Sequence, residues 1–354
     1  MRPHGEASMK HDSETPARRE FLWTLGGGAL ALALAGRGWS AGTKPMRGLF
    51  PIAQSPVTQD DKLDLECLTN QVKFCNRYKV HGIAWPQIAS GWSTLSEKER
   101  LDGAEAMLAT NKGGTTALVI GVQDKDRNLD KSIAYAKHAA RNGADGIISL
   151  PPEKADDKAM IEYYKAIGQA TDLPLIAQTI GDMSVDLIVE MWKQIPTLKC
   201  VKDESGNPLL RITEIRQRTN DKLAVFSGQG VRTMIDEMRL GFSGHCPTVG
   251  LSDFFAAAFD LWHAGKQPQA FDMFGRLLAF ESITNASAYL MVMRGIFKES
   301  TQMRRNPGMT SGGVAAGGGG RGGGNRGPAV PLDEAGKKVI REAWDQFMKP
   351  YLRG

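Results

Sequence analysis

Between Gly48 and Ala264 the chain repeats one pattern eight times: a short apolar run, then a longer stretch with helical spacing. The runs are Gly48–Ala53, Gly82–Pro86, Thr115–Gly121, Asp145–Leu150, Leu173–Thr179, Leu198–Asp203, Leu223–Ser227 and Gly244–Val249. The stretches between them are Asp64–Tyr78, Glu97–Thr110, Asp130–Asn142, Asp157–Thr171, Val185–Gln194, Leu209–Arg218, Val231–Leu240 and Asp253–Ala264. Short apolar runs bounded by turn residues read as buried strands, and amphipathic stretches of ten or more residues read as helices. Strict alternation demands parallel pairing, because every helix carries the chain back to the same end of the sheet. Eight such units predict an α/β fold, the (β/α)8 TIM barrel. An open doubly wound sheet would place a glycine-rich phosphate loop after its first strand, where this chain has Gln54-Ser55-Pro56-Val57. The barrel core is therefore expected over residues 46–250, with the eighth helix and additional C-terminal helices over 251–305.

The two ends follow other rules. Residues 1–42 contain Ala17-Arg18-Arg19-Glu20-Phe21-Leu22 followed by a Gly/Ala-rich apolar run from Trp23 to Gly36. Paired arginines ahead of a modest apolar segment resemble a twin-arginine export signal, with cleavage expected near residues 38–43 and a periplasmic or secreted product. The run is too short and too rich in glycine for a stable membrane anchor, and no cysteine follows it to carry a lipid. Near the other end, Gly308 to Gly327 holds eleven glycines in twenty residues. Such a segment offers little apolar surface against a large chain entropy, so residues 306–330 read as a flexible loop. A last helix, Asp333–Leu352 within the terminal segment 331–354, opens on an acidic turn and carries Val339, Ile340, Trp344 and Phe347 along one side.

Charge and cysteine content exclude several function classes. The net charge of +5 falls only to +4 without the first 41 residues, which is too mild and dispersed for a nucleic-acid partner. Arg321 and Arg326, without aromatic neighbours, do not make the glycine-rich loop an RNA contact. The four cysteines show no ligand spacing, so no metal or cofactor is implied. Cys67 and Cys75 sit eight apart on one helix, roughly 12 Å, which is too far to bridge.

Chemistry in such a barrel gathers where the strands end. Strand six ends Lys199-Cys200-Val201-Lys202-Asp203-Glu204-Ser205-Gly206. Side chains alternate along a strand, so Cys200 and Lys202 share the inner face and Val201 the outer. A lysine on a buried parallel strand needs a purpose or a partner. Burial disfavours the charged form of an amine, and a neutral amine condenses with a ketone to a Schiff base. The resulting iminium withdraws electrons from the adjacent carbon, which is class I aldolase chemistry. Its alternative is an ion pair between Lys202 and Asp203 or Glu204.

These residues resemble the dihydrodipicolinate synthase / N-acetylneuraminate lyase family. The resemblance rests on Arg47-Gly48-Leu49-Phe50-Pro51-Ile52, on Ser93-Thr94-Leu95-Ser96-Glu97-Lys98-Glu99-Arg100, on Asn142-Gly143-Ala144-Asp145-Gly146 and above all on Val201-Lys202-Asp203-Glu204-Ser205-Gly206. It implies a lyase taking pyruvate or another 2-oxo acid, a homo-oligomer (tetramer or dimer), and Lys202 as the Schiff-base residue. Other family positions differ. The strand-five tyrosine that shuttles protons is replaced by Gln178, and an amide has no useful acid–base chemistry near neutrality. The carboxylate-binding Gly-Thr-Thr-Gly-Glu loop reads Gln87-Ile88-Ala89-Ser90-Gly91-Trp92, leaving Ser90 and Gly91 to bind the substrate. The tyrosine pair after strand four is replaced by Pro151-Pro152-Glu153, and the arginine for a second carboxylate is absent. Authentic dihydrodipicolinate synthesis is accordingly not expected.

For the missing proton shuttle the candidates are His245 on strand eight, a water oriented by Gln178 and Thr179, and Glu204; an imidazole exchanges protons near neutral pH. Trp85 and Trp92 are candidates for an apolar wall that selects a larger substrate. Two alternatives to carbon–carbon cleavage stay open: enamine-type dehydration or hydration of a 2-oxo sugar acid, and a catalytically silent barrel that binds a carbonyl compound or serves structurally.

Overall fold

The computed structural model describes residues 44–228, 233–283, 286–304 and 332–352. The export-signal reading and the glycine-rich loop lie outside these residues. The barrel strands are β1 (Gly48–Leu49), β2 (Gly82–Trp85), β3 (Ala117–Gly121), β4 (Gly146–Ser149), β5 (Leu175–Gln178), β6 (Leu198–Asp203), β7 (Ala224–Ser227) and β8 (Gly244–His245). All pair in parallel in chain order, and β8 pairs back onto β1. The last seam, between the chain after β1 and β2, is a single parallel bridge, Ile52 with Ala84. Eight parallel strands thus form a nearly closed barrel.

The strands start within two residues of their predicted positions, but β1 and β8 are only two residues long. Pro51 and Pro247 lie just beyond them, and proline brings no N–H to a ladder. Pairing continues there as separate bonds, from Phe50 N–H to the His245 carbonyl (2.9 Å) and from Ile52 N–H to the Pro247 carbonyl (3.2 Å).

The helices are α1 (Leu65–Arg77), α2 (Glu97–Thr110), α3 (Leu129–Arg141), α4 (Asp157–Gln169), α5 (Val185–Gln194), α6 (Pro208–Arg218), α7 (Met234–Leu240) and α8 (Ser252–His263). Each of the first six opens on a side chain that accepts from a first-turn backbone N–H: Asp64, Ser96, Asn128, Asp156, Ser184 and Asn207. Such caps satisfy donors that the helix itself leaves free.

Side-chain alternation splits the apolar core in two. The outer shell between strands and helices takes Val201, Ala177, Val225 and Ile147, whereas the barrel interior takes Phe50, Val119, Ile148, Ile176, Cys200 and Phe226. Phe50 and Phe226 meet edge to face across the interior, with centroids 5.0 Å apart. They fit because glycines face them. A Cβ on Gly82 would lie 2.2 Å from the Phe50 ring, and one on Gly244 2.6 Å from the Phe226 ring.

After the barrel come α9 (Gln267–Glu281), α10 (Ala286–Met293) and α11 (Glu334–Ala343). The predicted terminal helix extends past α11 in a different form, widening over Trp344–Met348 and tightening over Lys349–Tyr351. Trp344 sits edge-on to Phe254 of α8 and Phe280 of α9, at 5.8 and 6.2 Å. Gln302–Met303 pairs antiparallel with Pro56–Val57, returning the C-terminal region to the first βα connection.

Candidate active site

Lys202 is the fifth residue of β6 and stands beside Gln178 on β5 and Phe226 on β7. Cys200, two residues earlier, packs in the barrel interior, and Val201 packs in the outer shell. Lys202 therefore projects inward at the C-terminal end of the barrel, as the alternation implies, with 5% of its surface exposed.

One carboxylate meets it. Glu204 Oε1 lies 3.4 Å from Lys202 Nζ, and Glu204 Oε2 accepts a short hydrogen bond from Gln178 Nε2. Of the two acidic neighbours named from the sequence, Glu204 is the one that pairs with the lysine. Room for it comes from Gly228 after β7, where a Cβ would fall 2.0 Å from Glu204 Oε1 and 2.4 Å from its Cδ. The Gln178 carbonyl oxygen Oε1 is buried without a hydrogen-bond donor. Cys246 also borders the interior cluster. It keeps a sliver of surface, yet its thiol lies deep, and burial pushes it up to about 12, with the Lys202 charge opposing and Glu204 and Glu237 reinforcing the shift.

Asp203 points the other way, under α6. Its Oδ1 accepts from Thr179 Oγ1 at 2.6 Å and its Oδ2 lies 3.2 Å from Arg211 Nε. Burial raises the Asp203 carboxyl, while the Thr179 hydrogen bond and the Arg211 charge act against it. Thr179 Oγ1 also accepts from Glu204 N–H at 2.9 Å. Thr179 thus shapes the turn that carries Glu204, and its one hydroxyl proton goes to Asp203 and not to a water shared with Gln178.

Three other expectations are corrected. His245 does not join Lys202: its ring lies 6.0 Å from Phe259 of α8 and 6.4 Å from Phe242, on the outer face of β8. Its Nδ1 is 2.6 Å from Glu237 Oε2, whose other oxygen accepts from Ser227 and Thr233 hydroxyls. The neighbouring Gly244 and Cys246 occupy the inner positions of that strand, which leaves the helix side to His245. Ser90 donates its one hydroxyl proton to the Ala53 carbonyl at 2.5 Å and accepts from Gln87 N–H, and Gly91 N–H bonds to the Ile88 carbonyl. Both donors are taken within the protein. Trp85 is packed in the outer shell against α2, where a Cβ on Gly103 would touch its ring at 2.5 Å, and its Nε1 donates to Ser55. It is not a pocket wall.

The sequence reading missed Glu237, Gly228 and Tyr164. Glu237 follows Met234 and precedes Met238 on the buried stripe of α7, a position where a carboxylate signals a buried partner. Tyr164 of α4 donates toward the carbonyls of Ser149 and Gln178, at 3.0 and 3.1 Å, and fixes the end of β5 from outside. Nothing in the sequence marks Gly228, because the contact that requires it comes from another strand. Among the described residues no cluster of His, Cys, Asp and Glu is arranged to hold a metal, and no helix is long and apolar enough to cross a membrane.

The pattern of the dihydrodipicolinate synthetase family matches residues 45–285. The chain belongs to that family. Its kinship is distant: the 4-hydroxy-tetrahydrodipicolinate synthase of Methanosarcina mazei is 28% identical over 195 residues, 53% of this chain and 65% of that protein. The chain thus spans just under two thirds of the length of that relative. In three dimensions the barrel is similar to N-acetylneuraminate lyase from Mycoplasma synoviae (TM-score 0.65, 18% identity, 85% of this chain and 98% of that one). It is also similar to a prophage protein of the dihydrodipicolinic acid synthase family from E. coli K12, solved in complex with pyruvate (TM-score 0.64, 18% identity, 85% and 98% coverage). Of the stretches that carry the resemblance, Val201–Asp203 lies on β6 with Glu204–Gly206 in the turn after it, and Gln87–Trp92 lies in the turn after β2.

Proposed function

We propose that the protein is a Schiff-base lyase or aldolase that takes pyruvate or another 2-oxo acid, with Lys202 as the nucleophile. The observation that carries this reading is the inward, 5%-exposed amine at the C-terminal end of β6, inside the most specific stretch of the family resemblance. A lysine there condenses with the keto carbon, and the iminium draws electron density from the adjacent carbon so that a bond to it can break or form. Gln178 in place of the shuttle tyrosine, and the absent arginine, support a substrate other than that of authentic dihydrodipicolinate synthesis. The buried, donor-less Gln178 Oε1 favours a substrate carrying a hydroxyl, as a sugar-derived 2-oxo acid does. Dehydration through the same enamine is the neighbouring reading.

The Lys202–Glu204 pair and the occupied donors of Ser90 and Gly91 favour a second reading, a silent barrel. Borohydride reduction with a panel of 2-oxo acids, followed by mass spectrometry, separates the two. A substrate-dependent adduct on Lys202, absent in Lys202→Ala, supports the enzyme; no adduct across the panel supports the silent barrel. We further propose export by the twin-arginine route to the periplasm and assembly into a dimer or tetramer. A mature protein from the native host that still begins at Met1 removes the first, and a monomeric mass in light scattering removes the second.

A further inference from the structure

We propose that Glu204 is the general base of this site, accepting the proton from C3 of the substrate iminium in place of the family's tyrosine. The inference rests on the Schiff-base reading of Lys202 and adds what that reading lacks, a group able to move a proton. Three elements converge on this carboxylate. Gln178 on β5 donates to Oε2, Lys202 on β6 faces Oε1 at 3.4 Å, and Gly228 after β7 leaves the space that Oε1 occupies. The amide at the tyrosine's position cannot itself exchange protons, but it holds one carboxylate oxygen and leaves the other beside the amine. Backbone bonding fixes the carrier turn, because Glu204 N–H donates to Thr179 Oγ1.

The geometry fits the step. Once Nζ is bonded to the keto carbon C2, C3 lies two bonds from that nitrogen, within reach of a carboxylate oxygen that stands 3.4 Å from Nζ. The C3–H bond breaks, its electron pair becomes the C2=C3 π bond, and the C=N π pair returns to nitrogen. The proton ends on the Glu204 carboxylate, and the iminium charge is cancelled, giving a neutral enamine. In the lyase direction the carboxylate takes the proton of the C4 hydroxyl, the C3–C4 pair becomes the C2=C3 π bond as C4=O forms and the aldehyde leaves, and the proton held on Glu204 is then delivered to C3. Cys246, the other titratable group at this corner, keeps its proton because burial holds its thiol up near 12, so it does not compete.

The test uses full-length protein with pyruvate, 2-oxobutanoate and a 3-deoxy-2-oxohexonic acid in deuterated water. Proton NMR follows exchange at C3, and borohydride trapping followed by mass spectrometry is run in parallel. Wild type is expected to trap an adduct and to exchange C3 protons. Glu204→Gln should still trap the adduct on Lys202 while exchange slows by about 100-fold or more, the usual scale for removing a general base. Gly228→Ala, which leaves the carboxylate intact but displaces it, should give the same split in milder form. Exchange at the wild-type rate in Glu204→Gln overturns the assignment and leaves Lys202 untouched. Loss of the adduct in Glu204→Gln also overturns it, since the carboxylate would then act on the amine and not on C3. Absence of an adduct in wild type overturns the Schiff-base reading and this inference with it.

Discussion

Replacing Arg294 with methionine removes the guanidinium that holds the C-terminal helices to the barrel. Arg294, just after α10, makes two parallel bonds to Asp253 of α8, Nη1 to Oδ1 and Nη2 to Oδ2, both 2.8 Å, and a third from Nη1 to the Gly250 carbonyl at 2.8 Å. Both side chains are almost fully buried, at 5% and 1% exposure. Its guanidinium carbon also lies 4.4 Å from the Phe74 ring centre, 4.7 Å from Tyr78 and 5.2 Å from Trp344. Breaking a buried pair and stranding one charge costs about 3–5 kcal/mol. Two charge-assisted hydrogen bonds at roughly 1.5–3 kcal/mol each reach the same range independently. Against a total stability of about 5–15 kcal/mol that is a large fraction, so Arg294→Met should shift the urea midpoint sharply downward. Asp253→Asn combined with Arg294→Met should cost less than the two single changes summed, with a coupling of about 1–3 kcal/mol. A loss below about 1 kcal/mol in Arg294→Met, or strict additivity in the double variant, would refute the account of this contact as a stabilising clamp.

Three further outcomes follow from the site. His245→Ala should leave turnover unchanged, because the ring lies on the helix side of β8, yet lower stability by about 1–3 kcal/mol by leaving Glu237 Oε2 buried without its partner; activity assays and urea melts read the two effects. Gly228→Ala should retain the wild-type circular dichroism spectrum, since the atoms nearest the intruding methyl belong to the flexible Glu204 side chain. The Cys246 thiol, raised by burial from an ordinary 9.0 to about 12, binds its proton more tightly folded than unfolded. That contribution to stability is present below pH 9 and is lost as pH climbs from 9 toward 12, and iodoacetamide at pH 8 should label Cys246 only after denaturation.

The barrel was legible because its signal is repeated and local: eight runs whose starts survive in the structure to within two residues. The inward direction of Lys202 was legible from Cys200 two residues before it, because the register shift of β6 falls earlier, at Lys199. His245 was misread because β8 holds two ladder residues before Cys246 and Pro247. A strand that short, apolar on both sides, gives alternation nothing to count from. Ser90 and Gly91 matched the family loop by position, but the partner that takes the serine proton, Ala53, lies 37 residues earlier across the seam. The meeting of Gln178, Glu204 and Gly228 is likewise a product of three strands becoming neighbours. Composition and spacing carry no trace of such contacts.

The hydroxyl of Ser90 reaches over the one joint of the barrel that lacks a continuous ladder. There, Ala53 N–H and the Ala84 carbonyl meet at 3.0 Å, and Ala84 N–H meets the Pro51 carbonyl at 3.0 Å. The segment Gln87–Trp92 here works as a buckle on the cylinder, and any ligand reaching for the Ser90 hydroxyl would have to pull that buckle open first.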